Sequence, residues 1–135
     1  MKYITGKRFK RDNAMGRFNI PYGSEIEEQD GWLVYNGLPI CKDTSALMRD
    51  YFAKNDDGCG LERFKVAHAI IDALHIRDDE SKEDWQKRWD VVWKDPVSNK
   101  YRKDNSETTF LWSIDFFNAP MLDLWHIAAL VGAKT

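Results

Sequence analysis

The chain has only two cysteines, Cys41 and Cys59, and they cannot build the disulfide framework of a small secreted scaffold. It has no apolar run near the roughly 20 residues that cross a bilayer. Its first residues, Met1-Lys2-Tyr3-Ile4-Thr5-Gly6, turn charged before a signal-peptide core could form. The expectation is a cytoplasmic protein with free thiols. Glycines stand singly or in tight turns, so there is no phosphate-cradling loop, no dinucleotide fingerprint and no nucleophile elbow. Heptads, internal repeats and low-complexity tracts are also missing. These absences lead to an expectation of a protein that is not an enzyme and carries no cofactor.

What is present is a soluble-type composition of 43% hydrophobic and 31% charged residues over 135 positions, enough for one domain or two small lobes. Charge is unevenly placed. Residues 1–17 hold Lys2, Lys7, Arg8, Lys10, Arg11 and Arg17 against a single carboxylate, Asp12, a local charge of +5. The whole chain carries −2, so the remainder carries −7. A basic arm on an acidic body suits contact with nucleic acid. The plainer reading is a solvated strand pair.

Residues 1–42 read as β structure. Asp30-Gly31 and Asn36-Gly37 each suit a two-residue turn with both central φ angles positive. Around them, Ser24–Gln29, Trp32–Tyr35 and Leu38–Cys41 make a three-strand meander. Tyr3-Ile4 and Arg8-Phe9-Lys10 suggest a further strand, followed by a turn at Asp12–Gly16 and a short strand at Arg17–Ile20. Four or five such strands predict a small antiparallel meander or an SH3-like barrel.

From Asp43 the period changes to that of helices. Asp43 or Thr44 can cap a helix running to about Lys54, with Leu47, Met48, Tyr51 and Phe52 as one stripe. A second helix spans about Leu61 to His75. Ser81 caps a third that ends before Pro96 and carries Trp85, Trp89 and Trp93. The segment 107–117 is apolar nearly all round, through Phe110, Leu111, Trp112, Ile114, Phe116 and Phe117, and is read as helix. Asn118-Ala119-Pro120 opens the last helix, whose Met121, Leu124, Trp125, Ile127, Ala128 and Val131 are expected to pack inward and whose Gly132 suits the left-handed end. The class is therefore α+β: a β module over 1–42 packed on a helical region over 43–135 as one unit.

Three constellations compete for function. The segment Lys7-Arg8-Phe9-Lys10-Arg11, with Arg17 beyond it, could supply phosphate contacts and a stacking ring. Strand alternation could equally send Phe9 inward and the cations outward. The loop Asn55-Asp56-Asp57-Gly58 looks functional, yet the EF-hand spacing fails, because Ala53 and Phe64 would fall at ligand positions 1 and 12. A junction between two helix caps explains the loop as well. His68 and His75 stand about two turns apart, too far to share an ion, so no metal site is expected. The Trp85, Trp89 and Trp93 stripe is either core or a docking surface. A small enzyme would require Asp56, Asp57, Asp115, His68 or His126 to converge.

The runs Thr5–Asp12, Ile20–Gly23, Tyr35–Cys41, Asn55–Gly58, Asp115–Pro120 and Ala128–Gly132 resemble small uncharacterised proteins encoded by phages and prophages of Gram-positive bacteria. That resemblance brings no catalytic residue. It implies a cytoplasmic accessory or structural protein of the bacterial host cell that acts by binding a macromolecule, protein or nucleic acid, with no membrane partner. Self-association would follow if the aromatics are exposed.

Overall fold

The protein is α+β. The computed structural model describes residues 2–13, 16–43, 50–101 and 119–134, with only the backbone for 11–13, 16 and 17. Two compact units divide the chain between Phe64 and Lys65.

Among the described residues the first unit holds seven strands: β1 (Lys2–Thr5), β2 (Phe9–Asn13), β3 (Gly16–Ile20), β4 (Glu25–Gln29), β5 (Trp32–Tyr35), β6 (Leu38–Lys42) and β7 (Phe52–Lys54). They form a five-stranded sheet in the order β6-β5-β4-β1-β7 and a two-stranded ribbon of β2 and β3. All the pairings are antiparallel. The meander reading holds over β4–β6. Its two hairpins turn at Asp30 and Gly31, with φ of 52° and 83°, and at Asn36 and Gly37, with φ of 51° and 77°. These dipeptides tolerate the left-handed region that a tight hairpin needs. Pro39 sits on β6 at the sheet edge, where a missing N–H breaks no ladder.

Two features depart from the expected layout. The segment from Lys2 to Lys10 is two strands, broken at Gly6. There the chain leaves the sheet, and a Cβ on Gly6 would lie 2.2 Å from Cγ of Phe64, an overlap that only glycine avoids. The second is β7. Its residues Phe52–Lys54 pair with Thr5, Ile4 and Tyr3, so the sheet extends past residue 42 into a stretch whose apolar spacing reads as helix. Asp50 and Tyr51 are helical, and the start of that expected helix lies outside the described residues.

The core of this unit joins sheet and ribbon. Tyr3, Ile26, Leu33, Cys41 and Phe52 from the sheet meet Phe9, Phe18 and Ile20 from the ribbon. Alternation explains the selection, since residues two apart share a face. The opposite face is covered at β1 and β7, where Ile4 and Ala53 are buried and Ile4 reaches Gly60.

Among the described residues four helices follow: α1 (Gly60–Leu74), α2 (Lys82–Lys94), α3 (Pro96–Asn99) and α4 (Met121–Val131). Within the second unit, α2, α3 and α4 contact one another. Ser81 caps α2, its side chain accepting from the Asp84 N–H at 3.1 Å. The exposed C-terminal carbonyls of α1 are met from α2. The Arg88 guanidinium donates to Ala73 and His75, and the Trp85 indole donates to Leu74. Glu80 grips the same guanidinium with both oxygens, at 2.7 and 2.6 Å, and that pairing holds its carboxyl below the ordinary value. Arg88 is thus a helix cap delivered from a neighbouring helix.

Trp89 is 1% exposed, stacked obliquely on Trp93 at 5.3 Å and edge-on to Trp85 at 6.3 Å. The central ring of the tryptophan stripe is therefore core. In α4, Met121, Leu124, Ile127 and Ala128 are buried, and Gly132 takes the left-handed φ of 71°. Trp125 corrects the expectation. It is 51% exposed, because the buried stripe runs through 121, 124 and 128 and leaves 122 and 125 on the flank. The apolar segment Phe110–Phe117 lies outside the described residues.

Candidate nucleic-acid interface

The basic arm becomes the β2–β3 ribbon and the bend leading into it. The register pairs Phe9 with Ile20, Lys10 with Asn19, Arg11 with Phe18 and Asp12 with Arg17. Phe9, Phe18 and Ile20 face the core. Arg8, Lys10 and Asn19 are exposed on the other side. The Arg8 Nε donates to the Asn19 side-chain oxygen at 3.0 Å, fixing the guanidinium along the ribbon. Lys7 is exposed, and its ammonium sits 5.4 Å from the centre of the Tyr51 ring, within cation–π range.

This register divides the proposed contact set. By alternation, position 17 falls on the side of Lys10 and Asn19, and position 11 on the side of Phe9 and Phe18. Phe9 is 2% exposed and packs edge-on against Tyr51 at 4.9 Å and Phe18 at 6.3 Å. Phe9 is accordingly not a surface stacking ring. It is the root that turns Arg8 and Lys10 outward.

The loop Asn55–Gly58 is built as a helix entrance. The Asn55 side-chain oxygen accepts from the Gly60 N–H at 2.8 Å, and its carbonyl accepts from the Gly58 N–H at 3.2 Å. Gly58 has φ of 77°. The Asp56 carboxylate accepts from the Lys2 N–H at 2.7 Å, tying the loop to β1. Asp57 accepts from the Cys59 N–H at 3.0 Å and holds Arg63 through both oxygens, at 3.1 and 2.5 Å. Arg63 also donates to the Lys54 carbonyl at 2.7 Å. Its side chain is 4% exposed, whereas that of Asp57 is 51% exposed. The Arg63 hydrogen bonds and charge, with the Cys59 N–H, pull the Asp57 carboxyl down to about 2. Every acceptor of the loop named here serves the fold. The sequence signals the turn, but the six-residue step from Asp57 to a buried arginine carries no local mark.

In the second unit, Asp95 gathers polar partners at the α2–α3 junction. It accepts from the Val97 and Ser98 N–H groups at 3.1 and 3.0 Å and from the Ser98 hydroxyl at 3.3 Å. His126 Nε2 lies 3.0 and 3.1 Å from its two oxygens. Hydrogen bonding to His126 and Ser98 holds the Asp95 carboxyl below its ordinary value. Serine, histidine and aspartate meet here in the wrong order for nucleophilic catalysis. The carboxylate stands between the other two, so the imidazole is not placed to take the serine proton. His68 is half-buried on α1, His75 is exposed just past its end, and Asp115 lies outside the described residues. Among the described residues, no group of three or more His, Cys, Asp or Glu could hold a metal ion. No helix among them is long and apolar enough to cross a membrane.

An α+β protein with a basic two-stranded ribbon is what these observations define. No family model, curated protein or solved structure matches the chain.

Proposed function

We propose that the protein is a non-catalytic accessory protein that binds nucleic acid through the outward face of its β2–β3 ribbon. The observation carrying this reading is the exposure of Arg8 and Lys10 opposite the buried Phe9, Phe18 and Ile20. Cations held on a rigid strand meet a phosphate backbone without the ordering cost of a loose tail. Lys7 extends the row, and Arg17 occupies a position on the same side of the ribbon. With Phe9 in the core, recognition is of backbone charge, so little sequence preference follows. The phage-type setting in a bacterial cytoplasm is supported by the resemblance of Thr5–Asp12, Ile20–Gly23 and Tyr35–Cys41.

Fluorescence anisotropy with labelled duplex DNA tests this. Neutralising about three phosphates gives a log–log salt slope of about −2.7. Lys10→Glu is expected to weaken binding and shrink that slope by about one. Absence of binding at about 50 mM salt, where such contacts are strongest, overturns the reading.

A second reading, association with another protein, draws on α4. Leu122 is 77% exposed and Trp125 is 51% exposed, three residues apart on one flank. Large exposed side chains of this kind anchor interfaces. If they do so here, Leu122→Ser with Trp125→Ser abolishes capture of a partner that wild type retains in pull-down. Unchanged capture by the double variant removes α4 from the interface.

A further inference from the structure

The sheet face turned away from the core carries its own charge pattern. Glu25 and Glu27 are exposed two residues apart on β4 and line a groove of about 290 Å3 with Lys2, Gln29, Val34 and Asn36. The register sets Glu27 beside Lys2 on β1 and Val34 on β5, and Glu25 beside Ile4. The groove is therefore a shallow polar trough with two carboxylates in line and one ammonium at its side.

We infer that this trough receives the β2 strand of a second copy of the chain, with Arg8 and Lys10 of one molecule set on Glu25 and Glu27 of the next. Two arguments carry it. The first is charge complementarity on two exposed surfaces of the same unit, with Arg8 just before β2 and Lys10 on it facing two carboxylates on β4. The second is spacing. Both pairs stand two residues apart, Glu25 and Glu27 on β4 and Arg8 and Lys10 where the chain enters β2, so a strand-like repeat of about 6.8 Å lets them meet one to one. Asn19 already orients Arg8, which lowers the ordering cost of the contact. Lys2 opposes the arriving cations and sets the association at modest strength. Because the two surfaces differ, the contact is head-to-tail and builds a ring or an open chain rather than a two-fold dimer. The inference uses the same ribbon as the nucleic-acid reading but does not depend on it.

Sedimentation velocity of the full chain without nucleic acid is the test, over roughly 10 to 300 µM protein at about 50 mM salt and again at about 300 mM, where screening is stronger. Wild type is expected to form concentration-dependent species that dissolve at the higher salt. Glu25→Gln with Glu27→Gln, and separately Arg8→Gln with Lys10→Gln, are each expected to lower the association constant about tenfold or more. An equimolar mixture of the two double variants is expected to give a heterodimer that grows no further, since one intact ribbon meets one intact trough. Lys2→Ala is expected to strengthen association. A wild type that stays monomeric throughout, or a Glu25→Gln, Glu27→Gln variant that associates like wild type, overturns the inference. The same variant is expected to keep its oligonucleotide affinity, so failure of the assembly and failure of nucleic-acid binding are read separately.

Discussion

Replacing Phe9 by alanine is expected to lower the unfolding free energy by about 3–5 kcal/mol, a large share of the roughly 5–15 kcal/mol that a small domain has. The ring is almost wholly buried among Phe18, Tyr51 and Phe52, with centroids 6.3, 4.9 and 5.6 Å away. Removing it leaves a cavity where ribbon and sheet meet, and the ribbon has few other anchors, chiefly Phe18 and Ile20. Urea denaturation followed by tryptophan fluorescence measures the loss. The consequence for function is the opposite of what a stacking role requires. Phe9→Leu keeps most of the apolar volume and should remain folded. Its affinity for a single-stranded oligonucleotide is expected to stay within about twofold of wild type. Loss of a stacked base costs about 1–3 kcal/mol, so a fall beyond about tenfold in a folded variant would show that the ring contacts the ligand.

Much of this architecture was legible in the residues, and what was not has a common cause. Asp30-Gly31 and Asn36-Gly37 state their turns because the backbone angle they need restricts residue type. α1 and α2 are readable from the 3.6 repeat and, for α2, from Ser81 and Pro96 at its ends. The strand β7 was not readable. Three residues give no period, Tyr51 and Phe52 fit a helical stripe equally well, and the strand exists because β1 pairs with it across some fifty residues of chain. The short helix α3, at Pro96–Asn99, was also not readable. Asp95 caps it with Pro96 in the first position, a start signal that the end of α2 obscured. The candidate interface divided along the same line. Alternation correctly offered an inward Phe9, but which of the six contact residues share a face needed the register of β2 on β3. Arg63 was invisible as a partner of Asp57, since a buried arginine looks like any surface cation on a charged helix.

That pair yields the second large effect. Asp57→Ala is expected to destabilise the protein by about 2–3 kcal/mol at neutral pH. The figure sits below the 3–5 kcal/mol for breaking a fully buried pair, because half of the Asp57 side chain is in water. The damage comes from Arg63, whose charge stays buried after its counter-ion has gone. Arg63→Met is expected to cost less, since it leaves only a carboxylate that solvent can reach. The pH dependence follows from the sign of the shift. The folded state holds Asp57 at about 2, against 3.8 ordinarily, so it favours the ionised form. The stabilisation is complete above pH 4 or so and disappears as pH falls through about 2. Glu80 and Asp95 are also lowered and add to acid loss in the same direction. Glu28 is raised, first by hydrogen bonding to Asp43, and acts in the opposite direction. The difference between wild type and Asp57→Asn removes these shared contributions. Unfolding free energies measured by urea from about pH 7 down to about pH 2 are expected to show a gap that narrows only below about pH 4. A gap that stays constant to about pH 2 would mean that Arg63 is held by its carbonyl partner and not by the Asp57 charge.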